Sequence, residues 1–358
     1  MSTNDSVLPL LNRPVAWLSS PGAHQGIVVS SRVRLARNCA NQPFRRKLGK
    51  LRQHELVEHL LGTTAAQPLF RDASRLRLDE LDDASRQALS ERQLASRELV
   101  NGKHPAGVVV TPDQSVSLMF NEEDHVRLQV VAPGLRIDDT LAQAVVVDQA
   151  LESVLGWAFH ERFGYLTACP TNVGTGMRIS VMLHLPALAE SGEMKAALRG
   201  LSKLNITVRG LHGEGSEPSG HFFQISNLRA LGMTEQELAD LLAETVDHLV
   251  GYERATREAL LTQTRWKIED RVFRAWGLLT LARSLTSEEL ITNLSWVRLG
   301  LAVGLLGGVA WTTLDRLFVD GQPAHLQLRH GVSDAAERDR LRADLVRQAL
   351  APRHDERN

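Results

Sequence analysis

Four stretches of this 358-residue chain combine residue types that bind and move charged groups. Ser30-Ser31-Arg32-Val33-Arg34 sets two guanidiniums two residues apart, on one face if the segment is extended. Arg127 follows the acidic run Asn121-Glu122-Glu123-Asp124-His125. Arg178 follows the glycine-rich Thr171-Asn172-Val173-Gly174-Thr175-Gly176, and Arg209 opens Arg209-Gly210-Leu211-His212-Gly213-Glu214-Gly215. Guanidinium forks grip phosphate oxygens in pairs and keep their charge at any working pH. Several together would neutralise a triphosphate and the charge that spreads over a phosphoryl group in transit. Taken singly, each of these arginines reads as a surface residue, and composition does not show that they converge. Glu122-Glu123-Asp124 alone reads as a solvated turn or helix start. Glu214 is different, because Gly213 and Gly215 let the backbone approach a ligand closely while aiming the carboxylate.

The usual phosphate cradles are missing. No GxxxxGK[ST], GxGxxG or HExxH pattern occurs, so a phosphotransferase built on this chain must hold its nucleotide another way. Lys plus Arg number 41 and Asp plus Glu 42, a balance that calls for neither nucleic acid nor an anionic membrane as main partner. Cys39 and Cys169 form no CxxC, which argues against a disulfide framework or a zinc cluster and fits a reducing cytoplasm. Met1 to Leu10 is polar and does not read as a signal peptide. Leu299 to Leu314 is uncharged, with Gly300, Gly304 and Gly308 four apart, but is shorter than a membrane span and is closed by Arg298 and Asp315. It is expected as a buried helix of a soluble domain.

The elements that must position these groups can be sketched from hydrophobic period. Residues 26–38 read as a strand running into an arginine-rich turn, and Arg52 to Val100 as helical. Val108–Val110 and Ser115–Asn121, split by Pro112-Asp113, read as a hairpin. Arg127–Ala132, Ser180–Leu185, Ile206–Leu211 and Phe222–Asn227 are strand-like, and Leu141–Leu155 is an amphipathic helix. After about Arg254 strand signals stop, leaving helices over Arg254–Ala282, Ser287–Asn293 and Asp334–Leu350 and a polar tail, Pro352–Asn358. The expectation is α+β: an antiparallel sheet packed by helices in residues 1–253, then a helical domain in 254–358.

Ser30 to Asn38, Asn121 to His125, Cys169-Pro170 through Gly176, and Arg209 to Glu214 together resemble the ordered signatures of the phosphagen (ATP:guanido) kinase family. The resemblance implies that family's antiparallel sheet flanked by helices, Mg2+-bound ATP as donor and a guanidino nitrogen as acceptor. Carried across by motif, Ser30, Ser31, Arg32, Val33, Arg34, Arg127, Arg178, Ile179, Ser180, Val181, Met182, Arg209, Gly210, Leu211, His212, Gly213 and Glu214 would contact nucleotide. Glu123 and Glu214 would hold and activate the acceptor, and Cys169 would sit beside the guanidinium. No metal ligand set is assigned to the protein itself. Two departures stand out. Arg97-Glu98-Leu99-Val100-Asn101 occupies the place of a Lys-His-Leu-Ile-Ser segment, so no nucleotide contact is carried over there, and His212 stands where a tyrosine is frequent.

Within the family the chain is most similar to the bacterial protein-arginine kinase branch. The first motif begins at residue 30, too early for the small N-terminal domain of the metabolite kinases. The helical C-terminal part contains Gln322-Pro323-Ala324-His325-Leu326-Gln327 and Arg338-Asp339-Arg340-Leu341-Arg342-Ala343. The second resembles the RDxxRA motif that lines a phosphoarginine pocket in that branch. The resemblance therefore implies protein substrates with exposed arginine, allosteric sensing of the product, a homodimer formed through the C-terminal helices, and partners such as a McsA-like activator and a Clp-type protease system. Two other readings stay open: a kinase of free guanidino metabolites, and an inactive phosphoarginine-binding adaptor.

Overall fold

Alternation along Val28–Arg37 makes a two-faced strand, with Val33 and Leu35 on one side and Arg32 and Arg34 on the other. In the computed structural model, which describes residues 6–18, 24–210 and 220–351, this strand, β1, lies near the middle of an eight-stranded sheet. The other strands are β2 (Ser74–Arg77), β3 (Gly107–Val110), β4 (Val116–Phe120), β5 (Val126–Pro133), β8 (Met177–His184), β9 (Ile206–Gly210) and β10 (Phe222–Asn227). A two-stranded ribbon pairs β6 (Phe159–His160) with β7 (Gly164–Tyr165). The large sheet runs β2-β3-β4-β5-β1-β8-β10-β9, and every pairing is antiparallel.

Helices α1 (Leu8–Leu11), α2 (Lys50–Ala65), α3 (Asp83–Glu91), α4 (Arg97–Asn101), α5 (Ile137–Leu155), α6 (Pro186–Glu190) and α7 (Met194–Lys203) surround the sheet. Then come α8 (Glu235–Gln263), α9 (Arg265–Leu281), α10 (Ser287–Ala302), α11 (Trp311–Asp320), α12 (Pro323–His330) and α13 (Ala335–Leu350). One apolar core joins the Val33/Leu35 face of the sheet to α5 and the first half of α8. A second joins Val29, Val131, Met182 and Phe222, at one end of the sheet, to Trp17 and helices α9, α10, α11 and α13, while Ala324 of α12 packs in a third with α3 and α4. The C-terminal helices thus complete the sheet's packing.

Most expected elements form, with four differences. The arginine-rich residues after Ser31 continue the strand rather than turning, because β5 and β8 pair with both edges of β1 as far as Leu35 and beyond. The stretch expected to be helical from Arg52 is interrupted by β2, whose single well-buried apolar residue, Leu76, gives too short a signal to read. Residues 299–314 do not form one buried helix: α10 ends at Ala302, and Gly304 and Gly308 take left-handed φ of 73° and 79°. The chain doubles back, so Arg298 and Asp315, the charges closing that run, pair with each other. No helix among the described residues is long and apolar enough to cross a membrane. Finally, residue 254 lies inside α8, which crosses it without a break.

Arg37 ties β1 to the glycine-rich loop. It pairs with Asp148 of α5 at 2.7 Å, donates to the Thr175 carbonyl at 2.9 Å and stacks 3.5 Å over the Tyr165 ring. Both partners of the ion pair are nearly fully buried. Removing one strands the other's charge, so Arg37→Ala should lower unfolding free energy by about 3–5 kcal/mol. Urea titration followed by circular dichroism would read this as a lower midpoint at unchanged slope.

Candidate active site

Register decides which side chains meet. In β1, Arg34 stands opposite Arg178 of β8 and Gln129 of β5, while Arg32 stands opposite Ser180. Arg127 is paired with Ala36, and Arg209 of β9 with Gln224 of β10. Directly opposed residues of an antiparallel ladder share a face. Arg32, Arg34, Arg127, Arg178 and Arg209 therefore project from the same side of the sheet, and all five line one cleft of about 780 Å³. The convergence that composition could not show is a product of strand register.

The crowding leaves an electrostatic signature. Burial, then the neighbouring Arg178, Arg127 and Arg209, push the Arg32 pKa down to about 10. Burial followed by Arg32, Arg127 and Arg178 also pushes Arg34 well below its usual value, against the pull of Glu122. Arg127 is shifted the other way: burial opposes its charge, but Glu122, Glu123 and further carboxylates outweigh it. A group of cations that penalise one another is a site built for a polyanion.

The acidic run divides its roles within a tight turn between β4 and β5, entered by Asn121 at φ 62°. Asn38 clamps the turn, donating to Asp124 at 2.7 Å and accepting from the His125 amide at 2.9 Å. Asp124 also accepts from the Ala168 amide at 2.6 Å, which binds the turn to the segment carrying Cys169. His125 Nδ1 accepts a hydrogen bond from the Cys39 amide at 3.1 Å, so Nε2 carries the proton and donates to the Pro43 carbonyl at 3.0 Å. Asp124 and His125 are thus buried scaffold, and Glu122 and Glu123 face the cleft. Glu122 lies 2.6 Å from Arg127 and accepts from the Ser96 hydroxyl. Glu123 keeps about a third of its side chain exposed, 3.4 Å from Arg127. Burial holds its pKa above the usual carboxylate range against the pull of Arg127.

The glycine-rich loop closes one end. A side chain at Gly176, φ 66°, would lie 2.7 Å from the Ala36 carbonyl, and one at Gly174, φ 112°, 2.7 Å from that of Ala230. Only glycine lets this loop lie so close to β1 and deliver Cys169 to the cleft. The Cys169 sulfur sits 3.0 Å from the Thr171 hydroxyl.

The remaining sequence candidates divide. Ser180 cradles Arg32, accepting from its Nε at 3.4 Å. Val33, Ile179 and Val181 point to the opposite face and fill the main core, so their side chains do not reach the cleft. Ser31 is buried in a turn clamp with Gly134 and Arg136, and Met182 is packed in the second core. Ser30 is buried in β1, and Gly210 ends β9. Leu211, His212, Gly213 and Glu214 lie outside the described residues. The cleft also takes in Arg45 and His104, which sequence reading passed over, and Arg97 and Glu98, for which it carried over no nucleotide contact. They belong to local helices and turns, and no spacing marks them as a set.

The side chains of Arg338–Ala343, which the resemblance groups in one pocket, divide between different surroundings. Arg342 is buried, donating to the Gly321 and Leu285 carbonyls at 2.7 and 2.6 Å and to Asp339 at 2.5 Å. Ala343 is in the second core, Leu341 is partly buried and Arg340 is exposed. Arg338 alone of the six lines a separate cavity of about 510 Å³, together with Arg86 and Lys103.

Comparison with known proteins places this geometry. The family description "ATP:guanido phosphotransferase, C-terminal catalytic domain" matches residues 55–256, and "Protein-arginine kinase McsB C-terminal domain" matches 265–358. The chain is 42% identical to the protein-arginine kinase of Moorella thermoacetica over 95% of this chain and 99% of that protein. It is 41% identical to that of Desulforamulus reducens over 93% and 95%. Among solved structures, lombricine kinase superposes with a TM-score of 0.59 at 18% identity over 72% of this chain and 76% of that one, a likeness of fold. The duplicated taurocyamine kinase of Schistosoma mansoni gives 0.56 at 26% identity, over 66% and 35%.

Replacing Arg34 or Arg127 by Lys keeps a charge but loses the planar fork. Each variant should turn over at least about tenfold more slowly, since a lost transition-state contact costs on the order of 1.4 kcal/mol or more. Steady-state kinetics at saturating ATP would measure it, and full activity in both would remove the clamp from the chemistry.

Proposed function

This chain belongs to the protein-arginine kinase family of ATP:guanido phosphotransferases, and on that footing we propose that the five-arginine cleft is where phosphate passes from ATP to an arginine side chain of a protein. The observation that carries the reading is the convergence of Arg32, Arg34, Arg127, Arg178 and Arg209 on one sheet face beside Glu122 and Glu123. The arginines receive the triphosphate and the charge of the moving phosphoryl group. The acceptor is a weak nucleophile, protonated below a pKa of about 12 and with its lone pairs delocalised. Glu123, about a third exposed at the cleft, orients it in line. As the γ-phosphorus exchanges its bond to the bridging oxygen for one to nitrogen, Glu123 takes the nitrogen's proton. Glu214 is the second acid in this reading, gripping the guanidinium from another side, and Cys169 lies at the acceptor end.

Mg2+ accompanies ATP in this proposal, and the donor set suits it. Glu122 offers a carboxylate to the cleft, and Mg2+ is ordinarily held by one or two carboxylates plus water and substrate phosphates. The metal would neutralise phosphate charge next to the arginines.

The proposal divides the chain into a catalytic unit, residues 1–253, and a helical unit, 254–358. The helical unit carries two roles. Trp266, Phe273 and Leu281 are exposed along one side of α9, and we assign this stripe to pairing with a second copy. The cavity of Arg338, Arg86 and Lys103 is the phosphoarginine site, with cations facing its phosphate. A McsA-like activator, a Clp-type protease as consumer of the marked proteins, and a cytoplasmic setting belong to the same reading.

Glu123→Gln should cut turnover by about a hundredfold or more. In the wild type kcat/KM should fall on acidification, because Glu123 acts as its carboxylate. Its raised pKa puts that fall above the usual carboxylate range, and the limb should vanish in the variant. The product should carry phosphorus on arginine nitrogen, labile in acid. Acid-stable phosphate on Ser, Thr or Tyr would overturn the assignment. For the second cavity, Arg338→Ala should weaken free phosphoarginine at least about tenfold by calorimetry. Phosphorylation of an unmodified protein should remain measurable.

A further inference from the structure

Helix α12 begins with Gln322-Pro323-Ala324-His325, and its first turn is held by a residue more than 230 positions earlier. The Glu91 carboxylate, at the end of α3, accepts from the Ala324 amide at 3.0 Å and the His325 amide at 3.3 Å. It also lies 2.8 Å from His325 Nδ1. A carboxylate at a helix N-terminus meets both the unpaired amides and the positive end of the helix dipole. The side chains of Glu91 and His325 are almost wholly buried. Arg92 comes next and is equally enclosed. It donates to the Gln114 side chain at 2.9 and 3.0 Å and to the Arg13 carbonyl at 2.5 Å, and its Nη1 is 3.4 Å from His325 Nε2. With Nδ1–H donating to Glu91, Nε2 is free to accept from Arg92, so a neutral imidazole satisfies both neighbours.

The turn after this hook leads into the arginine cleft. Gln93 adopts φ 59°, and its carbonyl accepts from Gln129 Nε2 at 2.6 Å. Gln129 is the residue directly opposite Arg34 in the sheet. Ser96 caps α4 by accepting from the Leu99 amide at 3.0 Å, and its hydroxyl donates to Glu122, which pairs with Arg127. Six residues, Glu91 to Ser96, thus join the C-terminal helices to two contacts beside catalytic arginines. Glu91, Gln93, Ser96, Gln322 and Pro323 also form part of the cleft wall.

We propose that Glu91 and His325 are positioning residues for phosphoryl transfer: by fastening α12 to the end of α3 they fix the 92–96 turn, which holds Glu122 through Ser96 and Gln129 through Gln93. Neither touches the reacting atoms. The inference rests on the arginine cleft being the catalytic site. It makes the helical C-terminal part a structural component of catalysis, apart from any role in dimer formation or product sensing.

The test uses the full chain and a protein substrate. Glu91→Gln keeps shape and one acceptor but loses the charge that meets two amides and a ring N–H. It should lower kcat by at least about tenfold while KM for ATP changes by less than about threefold. At His325, Asn places an amide N–H near the position of Nδ1, whereas Leu offers no donor. His325→Asn should therefore retain kcat within about threefold, and His325→Leu should lose at least about tenfold. Ser96→Ala combined with Glu91→Gln should lose no more than the worse single change, as expected of one relay. Asp315→Asn is the control: it breaks another buried ion pair of the C-terminal helices without contact with α3, and should lower stability but leave kcat unchanged. A wild-type kcat in Glu91→Gln and His325→Leu, with Arg127→Lys impaired in the same assay, would overturn the relay and leave the cleft intact. So would additive losses with Ser96→Ala, or an equal kcat loss in Asp315→Asn. Full activity in Arg127→Lys would instead strike the cleft reading itself.

Discussion

Like charges held close together are the constraint around which this protein is built. Five guanidiniums converge on one face of a sheet, where burial and the neighbouring cations disfavour the charge of Arg32 and Arg34. On that face Glu122 and Glu123 pair with Arg127, which by itself would not hold the strands in place. The other face does, because Val33, Leu35, Leu128, Ile179, Val181 and Ile225 pack with α5 and α8 into the main core and fix the strands. A strand has two faces of period two, so burying one series of side chains dictates where the alternate series must stand. The cationic cleft is in this sense a consequence of the apolar core behind it. Glu122 and Glu123 relieve part of the strain at Arg127, and a bound polyphosphate would relieve the rest.

The parts legible in sequence were those whose period or spacing is local. Alternation in Ser30–Arg37, the Pro112-Asp113 hairpin and the long amphipathic runs of α5 and α13 all announce themselves. Convergence was not legible, since the pairing of Arg34 with Arg178 depends on register between segments far apart in the chain. Resemblance to a family implied the convergence, though not the register that produces it. It carried too much in places: Val33, Ile179 and Val181 belong to the motifs, yet their side chains serve the core. The same holds for Arg342. The resemblance put it in a pocket with Arg338 and Asp339; it does pair with Asp339, but the Gly321 and Leu285 carbonyls hold it inward, and no motif reports a carbonyl contributed from elsewhere in the chain.

Neighbouring residues of one motif can do unrelated work. In Asn121–His125 a left-handed first residue turns the chain so sharply that successive side chains point to different surroundings. Glu122 and Glu123 reach the cleft, whereas Asp124 and His125 bind amides and carbonyls beneath it. The same economy marks the glycine-rich loop, where two glycines give close approach to backbone while Arg37, from another motif, anchors it from below.

Helix α8 carries a consequence of a different kind. Its 29 residues span about 43 Å at 1.5 Å per residue. Leu238 to Val250 pack into the main core, the buried Glu253–Arg257 pair follows, and Leu260 and Leu261 border the second core. Catalytic and C-terminal parts therefore share a beam where a tether would be expected. A protease cutting at residue 254 would have to open helix rather than nick a linker. A lineage that lost the C-terminal part would leave α8 with a bare end and the sheet with an uncovered one. Such an architecture ties the two parts to a common inheritance: neither half is easily traded, shuffled or shed without rebuilding the other.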